Sequence, residues 1–215
     1  ALGINIMLNP EQVARCIDQV GIGFMFAPSF HSAMKHAAPI RKEMGVRTIF
    51  NILGPLINPA TAPNQVMGVF HPDLVGIQAR VLKQLGSRHV MIVHGLDGLD
   101  EITLSGPTMI AELKNDHVEE YQIEPAMFGI KSVPTQALRA SDAAESKAIL
   151  LAVLDNQPGP ARDIVALNAG AAIYVSGHSA TLKDGISRAF EVLESGAAKQ
   201  KLDQLAAISQ SFKSN

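Results

Sequence analysis

The stretch QVMGVFHPDLVGIQARVLKQLGSRHVMIVHG, residues 65–95, decides how the chain must be built. Gln65-Val66-Met67-Gly68-Val69-Phe70 is an apolar run too short for a helix and reads as a buried strand. Pro72-Asp73 then opens a helical pattern in which Leu74, Ile77, Val81, Leu82 and Leu85 share one face, and Gly86 closes it. His89 to Val93 is a second apolar run. Strand, helix and strand with short joints make a βαβ unit, which implies parallel strands. In open α/β sheets, ligands bind in the crevice beyond the carboxyl ends of such strands.

HGLDGLDE, residues 94–101, leaves one of those ends and gathers Asp97, Asp100 and Glu101 beside Gly95 and Gly98. Two readings are open. The segment is a solvated acidic turn, or its carboxylates hold a cation. Hard divalent cations prefer oxygen ligands, and Mg2+ is usually held by one or two carboxylates together with substrate phosphates. The spacing does not fit an EF-hand loop. His71 and His94 each end an apolar strand and read as hydrogen-bonded strand-end histidines or as catalytic groups.

Outward from this unit, Asn9-Pro10-Glu11 starts a helix carrying Val13, Cys16, Ile17 and Val20 on one side, and Gly21 ends it. A second helical pattern covers Ser29 to Met44, with Pro39 inside it. Thr108–Leu113 and Val118–Ile123 read as short strands of antiparallel type, and Pro125–Leu138 as loop. Four helical patterns follow, at residues 141–154, 160–175, 181–193 and 197–212. In the second of these, Asp163 and Asn168 are polar breaks, and Gly170 beside Ala171-Ala172 suggests close backbone packing. The fold expected is α/β, with a central, largely parallel sheet flanked by helices. Residues 1–45 are expected to be helices of a small, incomplete helical domain, and residues 46–215 the α/β domain.

Two further segments carry candidate chemistry. HSAMKHAAPIRKEMGVR, residues 31–47, places His31 and Lys35 four apart on one helix face, with His36, Arg41, Lys42 and Arg47 after them. It is either a solvated basic face or an anion site, where Arg would grip a carboxylate or phosphate with paired hydrogen bonds. NILGPLINPATAPN, residues 51–64, has turn signals at Gly54-Pro55 and Asn58-Pro59 between apolar pairs. It can wall a flat ligand or serve as a linker.

Composition narrows the function classes. Hydrophobic residues make up 47% of the 215 and charged residues 18%, enough to build a packed core. A net charge of -2 argues against a nucleic-acid partner or an acidic membrane surface. No run of about 18 apolar residues suggests a membrane span. The lone Cys16 cannot form an internal disulfide, and a cytoplasmic setting is expected.

FHSAMKHAAPIRKEMGVRTIFNILGPLINPA, residues 30–60, followed by VHGLDGLDEIT, residues 93–103, resembles the anthranilate phosphoribosyltransferases of tryptophan biosynthesis. The resemblance continues through DIVALNAGAAIYVSG and GISRAFEVLESGAA, so it covers nearly the whole chain. It implies transfer of a phosphoribosyl group from phosphoribosyl diphosphate to the amine of anthranilate, with Mg2+ as cofactor and pyrophosphate released. It implies Asp100 and Glu101 as the metal pair and Arg41 as the residue for the carboxylate of anthranilate. His31, Lys35, Gly54 and Pro55 are implied as further parts of the anthranilate channel. It also implies a homodimer. In the family, helices, a glycine-rich diphosphate loop and a Lys- and Ser-rich phosphate-binding stretch precede the point that Ala1 resembles. The 215 residues alone are therefore expected to have little activity. Pyrimidine nucleoside phosphorylases and a non-catalytic nucleic-acid-binding relative are the alternatives. The run around Arg41 and Asn51-Ile52-Leu53-Gly54-Pro55 argues against the first, and the net charge against the second.

Overall fold

Asn64–Gly68 forms β1, which ends where Gly68 meets the backbone of a crossing loop. Helix α3, Leu74–Gln84, buries Val75, Ala79 and Leu82 and leads back to β2, His89–Gly95. The two strands pair in parallel, from Asn64 opposite His89 to Gly68 opposite Val93. These relations come from a computed structural model that describes residues 2–30, 53–54 and 56–212. The expected βαβ unit is present, although the first strand stops two residues early. Only the Val69 N–H continues the ladder, donating to Val93 O at 3.0 Å.

The rest of the sheet runs the other way. β3, Thr108–Lys114, is antiparallel to β2, and β4, His117–Ile123, is antiparallel to β3, in the order β1-β2-β3-β4 among the described residues. The sheet is thus mixed, with one parallel pair, and the expectation of a largely parallel sheet is corrected. The reason is local. Asn115 and Asp116 form the two-residue link at φ 51 and 62, the left-handed geometry of a tight hairpin, which can only join antiparallel neighbours. The link from β2 to β3 contains no helix to carry the chain across the sheet.

Two layers of helix complete this part. Val90, Met91, Ile92 and Val93 are all buried, so β2 is covered on both faces. Alternation puts Met91, Val93 and Ile110 in one cluster with Ile164, Leu167, Ala171 and Tyr174 of α5, Pro160–Val175. Helix α3 packs against β2 and β3. Helix α4, Ala143–Leu154, packs on α5, and so does α6, Leu182–Glu194. At the α5–α6 crossing a Cβ on Gly170 would lie 2.5 Å from Ile186 Cα, and one on Gly185 would overlap the Gly170 carbonyl oxygen. The glycine read from the sequence as a close-packing position is one.

At the start of β2 a polar network ties the sheet to α5. Glu112 accepts hydrogen bonds from Tyr121 (2.7 Å), Tyr174 (2.8 Å) and His89 Nε2 (2.8 Å), and Lys114 donates to Tyr174 at 2.9 Å. Burial pushes the Glu112 carboxyl up, but its three donors outweigh burial and hold it below the usual carboxylate range.

The chain divides into two compact units. Residues Ala62–Gly196 are one, and Ala1–Thr61 with Ala197–Asn215 the other. The expected boundary after residue 45 lies outside the described residues, as does most of the helical pattern expected from Ser29. Only α2, Ala27–Phe30, is described near its start. In the second unit α1, Pro10–Val20, is closed by a capping box between Asn9 and Gln12 and by Gly21 at φ 85. It packs on α7, Ala197–Ser211, with Leu8, Val13, Cys16, Val20 and Leu205 as its core. Lys201 Nζ donates to Val20 O at 2.6 Å, placing a cation on the last carbonyls of α1.

Two outcomes follow for the full-length protein. Gly185→Ala forces the α5–α6 crossing apart and costs ~1–3 kcal/mol, read as a lowered Tm, whereas Gly106→Ala, with open space around its Cβ, leaves Tm unchanged. Glu112→Gln costs ~1–3 kcal/mol at neutral pH by weakening a partly buried acceptor with three donors. A carboxyl depressed in the folded state stabilises above its unfolded value, and that contribution fades as pH falls through the folded value. The difference between wild type and Glu112→Gln in chemical denaturation should therefore shrink below about pH 4.

Candidate functional site

Beyond Gly95 the chain runs from Leu96 to Pro107 without regular structure before β3 begins. It first turns on itself: Gly98 N–H donates to Gly95 O at 2.8 Å, and Gly95 N–H to Leu99 O at 2.9 Å. The loop then passes over the carboxyl end of β1. Gly68 lies so close to it that a Cβ there would overlap the carbonyl oxygen of Asp100. Position 68 must therefore be glycine for the loop to lie where it does. Ile102 and Leu104 are then buried in the main core.

The three acids of this turn have different surroundings. Asp97 is a hub for hydroxyls. Its Oδ2 accepts from Thr103 (2.8 Å), Ser105 (2.6 Å) and Thr135 (2.5 Å), and its Oδ1 from the Leu99 N–H at 3.3 Å. Partial loss of water raises the Asp97 carboxyl, but these donors together leave it below the ordinary value. Asp97 thus closes the turn and ties it to the 3-10 turn Thr135–Leu138. Asp100 and Glu101 are exposed. Glu101 is shifted upward, first by partial desolvation and then by the negative charges of Asp100 and Asp97.

Asn168 completes the framework from α5. Its Oδ1 accepts the Ile102 N–H at 2.9 Å, and its Nδ2 donates to Ile102 O at 2.9 Å and to Ile164 O at 3.0 Å. The sequence marked Asn168 only as a polar break in an apolar helix. An amide in the middle of a buried helix face was the available signal that it serves distant backbone. Gly68 and the hydroxyls around Asp97 carried no comparable signal.

His94 is buried, and its Nδ1–H donates to Val69 O at 2.7 Å, which ties the ends of the two parallel strands together. His71 is exposed, and its Nδ1 accepts the Asp73 N–H at 3.3 Å. His94 is thus a hydrogen-bonded histidine at a strand end, whereas His71 lies three residues beyond β1, in the turn that leads into α3.

Among the described residues no group of three or more His, Cys, Asp or Glu side chains could hold a metal. The donor set of Asp100 and Glu101 nevertheless fits Mg2+, which takes oxygen ligands and completes its shell with water and phosphate oxygens. Of the other residues implied, His31, Lys35, Arg41 and Pro55 lie outside the described residues. Gly54 is described with helical backbone, as are Leu53 and Leu56, so the turn expected there is corrected in part. The Ile57 N–H lies 3.2 Å from Leu53 O and 3.3 Å from Gly54 O. Among the described residues no helix is long and apolar enough to cross a membrane.

Residues 1–199 match the family described as "Glycosyl transferase family, a/b domain". The chain is 67% identical over 208 residues to the anthranilate phosphoribosyltransferase of Chromobacterium violaceum, a match covering 97% of this chain and 61% of that protein. It is 66% identical to that of Laribacter hongkongensis, with the same coverage. It is also similar to the crystal structure of the enzyme of that name from Thermus thermophilus, with a TM-score of 0.90 and 40% identity over 97% of this chain and 62% of that one. The Saccharomyces cerevisiae enzyme, in complex with PRPP and Mg, gives a TM-score of 0.89 at 29% identity, covering 98% of this chain and 61% of that one. The chain thus spans about three fifths of the length of the curated relatives it matches. A match running through β1, the acidic turn and helix α5 alike means that the chain belongs to the glycosyl transferase family, in its a/b domain.

Proposed function

We propose that the protein is an anthranilate phosphoribosyltransferase, transferring the phosphoribosyl group of phosphoribosyl diphosphate to the amine of anthranilate and releasing pyrophosphate, in tryptophan biosynthesis. The observation that carries this reading is the pair Asp100–Glu101, exposed on a turn that is otherwise tied down, at the carboxyl ends of parallel strands. Its support is the match to relatives bearing that name, one of them solved with PRPP and Mg.

Asp100 and Glu101 would hold the Mg2+ that accompanies the diphosphate. When bound, that ion neutralises the charge growing on the departing pyrophosphate. Asp97 is left out of this pair because its Oδ2 already takes three hydroxyl donors and its Oδ1 the Leu99 N–H, which commits it to holding the turn. Arg41 would bind the carboxylate of anthranilate, with His31, Lys35, Gly54 and Pro55 shaping the channel for its ring. The attacking amine is already a nucleophile, so what it needs is alignment with the ribose carbon. Alignment of that kind can supply ~7–11 kcal/mol of a barrier. No general base is assigned.

We place the enzyme in the cytoplasm, consistent with its single, buried cysteine. We also read the whole protein as a homodimer. Exposed Met7, Ile17, Ile22 and Phe24 support this as apolar surface in want of cover.

Initial rates of the full-length protein test the reading. Asp100→Asn with Glu101→Gln should raise the Mg2+ concentration for half-maximal rate by about 10-fold or more and leave the anthranilate KM near wild type. A wild-type metal response rejects the metal pair. Arg41→Ala should raise the anthranilate KM by about 10–100-fold, the loss of a charge-assisted hydrogen bond, with a much smaller change for phosphoribosyl diphosphate. Equal changes in both constants reject the carboxylate role. Phosphorolysis of pyrimidine nucleosides without anthranilate turnover would overturn the activity itself.

A further inference from the structure

Asp100 and Glu101 have exposed side chains, yet the backbone that carries them is fixed at three places. Upstream, the hydroxyls of Thr103, Ser105 and Thr135 converge on Asp97. Beneath, the Asp100 carbonyl rests against Gly68. Downstream, one amide side chain takes both backbone groups of Ile102, the residue bonded to Glu101.

The last of these differs from the others in kind. The Ile102 N–H belongs to the same peptide plane as the Glu101 carbonyl, so holding it fixes the direction in which Glu101 leaves the core. A planar amide with an acceptor and a donor side by side meets an N–H and a C=O of one residue as a neighbouring strand would. The third bond, from Nδ2 to Ile164 O, stops the amide from rotating on its own helix. Ile102 is 1% exposed, so water cannot replace these bonds without opening the core. Glutamine carries the same amide one methylene further out, and serine or threonine offers a single atom rather than a donor and acceptor side by side. Aspartate lacks the donor and would set a negative charge close to Glu101.

We propose that Asn168 is a positioning residue for the Asp100–Glu101 carboxylates. Through the Ile102 peptide it sets the separation and direction at which they meet a divalent cation carried by a phosphorylated substrate. This rests on the reading of those two carboxylates as the metal pair. Groups that orient metal-binding side chains without touching the metal typically change affinity or activity by about 10–100-fold when replaced.

The test uses full-length protein with Asn168→Asp, which keeps size and shape, and Asn168→Ala. Three readouts are taken: Mg2+ dependence of the rate, calorimetric titration of phosphoribosyl diphosphate with and without Mg2+, and hydrogen exchange of the peptide spanning residues 96–107 in metal-free protein. Both variants should need about 10–100-fold more Mg2+. They should lose the Mg2+-dependent part of diphosphate affinity and keep an anthranilate KM within about twofold of wild type. Asn168→Ala should also exchange faster at Ile102. In combination with Asp100→Asn and Glu101→Gln, Asn168→Asp should add little further shift, because both changes act on one device.

A folded Asn168 variant with a wild-type Mg2+ response overturns the proposal and leaves only a structural role. So does an equal rise in both substrate constants, or failure of both variants to fold. If Asp100→Asn with Glu101→Gln itself leaves the Mg2+ response unchanged, the metal reading has failed. If that variant responds and Asn168 does not matter, only the positioning role has failed.

Discussion

Peptide groups that sit against a packed core must find partners, and an irregular connection cannot supply its own. The chain between β2 and β3 faces this problem directly, because it rides over the end of β1 and sends Ile102 and Leu104 inward. The solution is to recruit partners from elsewhere in the chain. Asn168 satisfies Ile102, Thr108 Oγ1 accepts the Thr103 N–H at 3.1 Å, and the Leu104 carbonyl accepts the Val133 N–H at 3.1 Å. Each bond stabilises the loop modestly, but leaving any such group unpaired would cost about 1–3 kcal/mol. The geometry of the acidic turn is therefore a by-product of backbone satisfaction. Of the three exposed carboxylates, Asp97 is committed to the hydroxyls around it, and Asp100 and Glu101 remain.

The two ends of β2 divide the work. At its start, His89 joins the network around Glu112, in which every acceptor has a donor and the sheet is bound to α5. At its end, about 20 Å away by strand rise, no cation among the described residues faces the acids in the same way: Glu101 is raised first by partial loss of water and then by the charges of Asp100 and Asp97, the opposite direction from Glu112. Satisfied polar groups hold the fold, while uncompensated ones mark where a ligand of opposite charge would be welcome. Helix α5 touches both ends, through Tyr174 at one and Asn168 at the other.

Much of this could be read from residue order. The two apolar runs and the helical pattern between them predict β1, α3 and β2 as elements, but not the buried side of α3: Ile77 and Leu85, read on its apolar face, are exposed, whereas Val75 and Ala79 are buried. The later helices are legible as elements in the same way. Sheet direction was less legible. Asn115-Asp116 is a hairpin signal only once both residues are known to take positive φ, and the long link after β2 resembles other loops in composition. The acids of the turn were visible as a group, but their separate surroundings were not. Asp97 differs from Asp100 only through Thr103, Ser105 and the distant Thr135, and no local pattern encodes a contact across thirty-eight positions. Gly68 likewise reads as a weak spot in a strand until the chain above it is seen.

The bond from Lys201 to the last carbonyl of α1 spans 181 positions of sequence. At a synthesis rate of about 5–20 residues per second, α1 emerges roughly 10–35 s before the helix that completes its core. During that interval Val13, Cys16 and Val20 have no α7 to cover them, while the intervening α/β unit can already condense on its own contacts. The ribosome thus delivers this unit in two instalments, and α1 waits for its partner helix until the second.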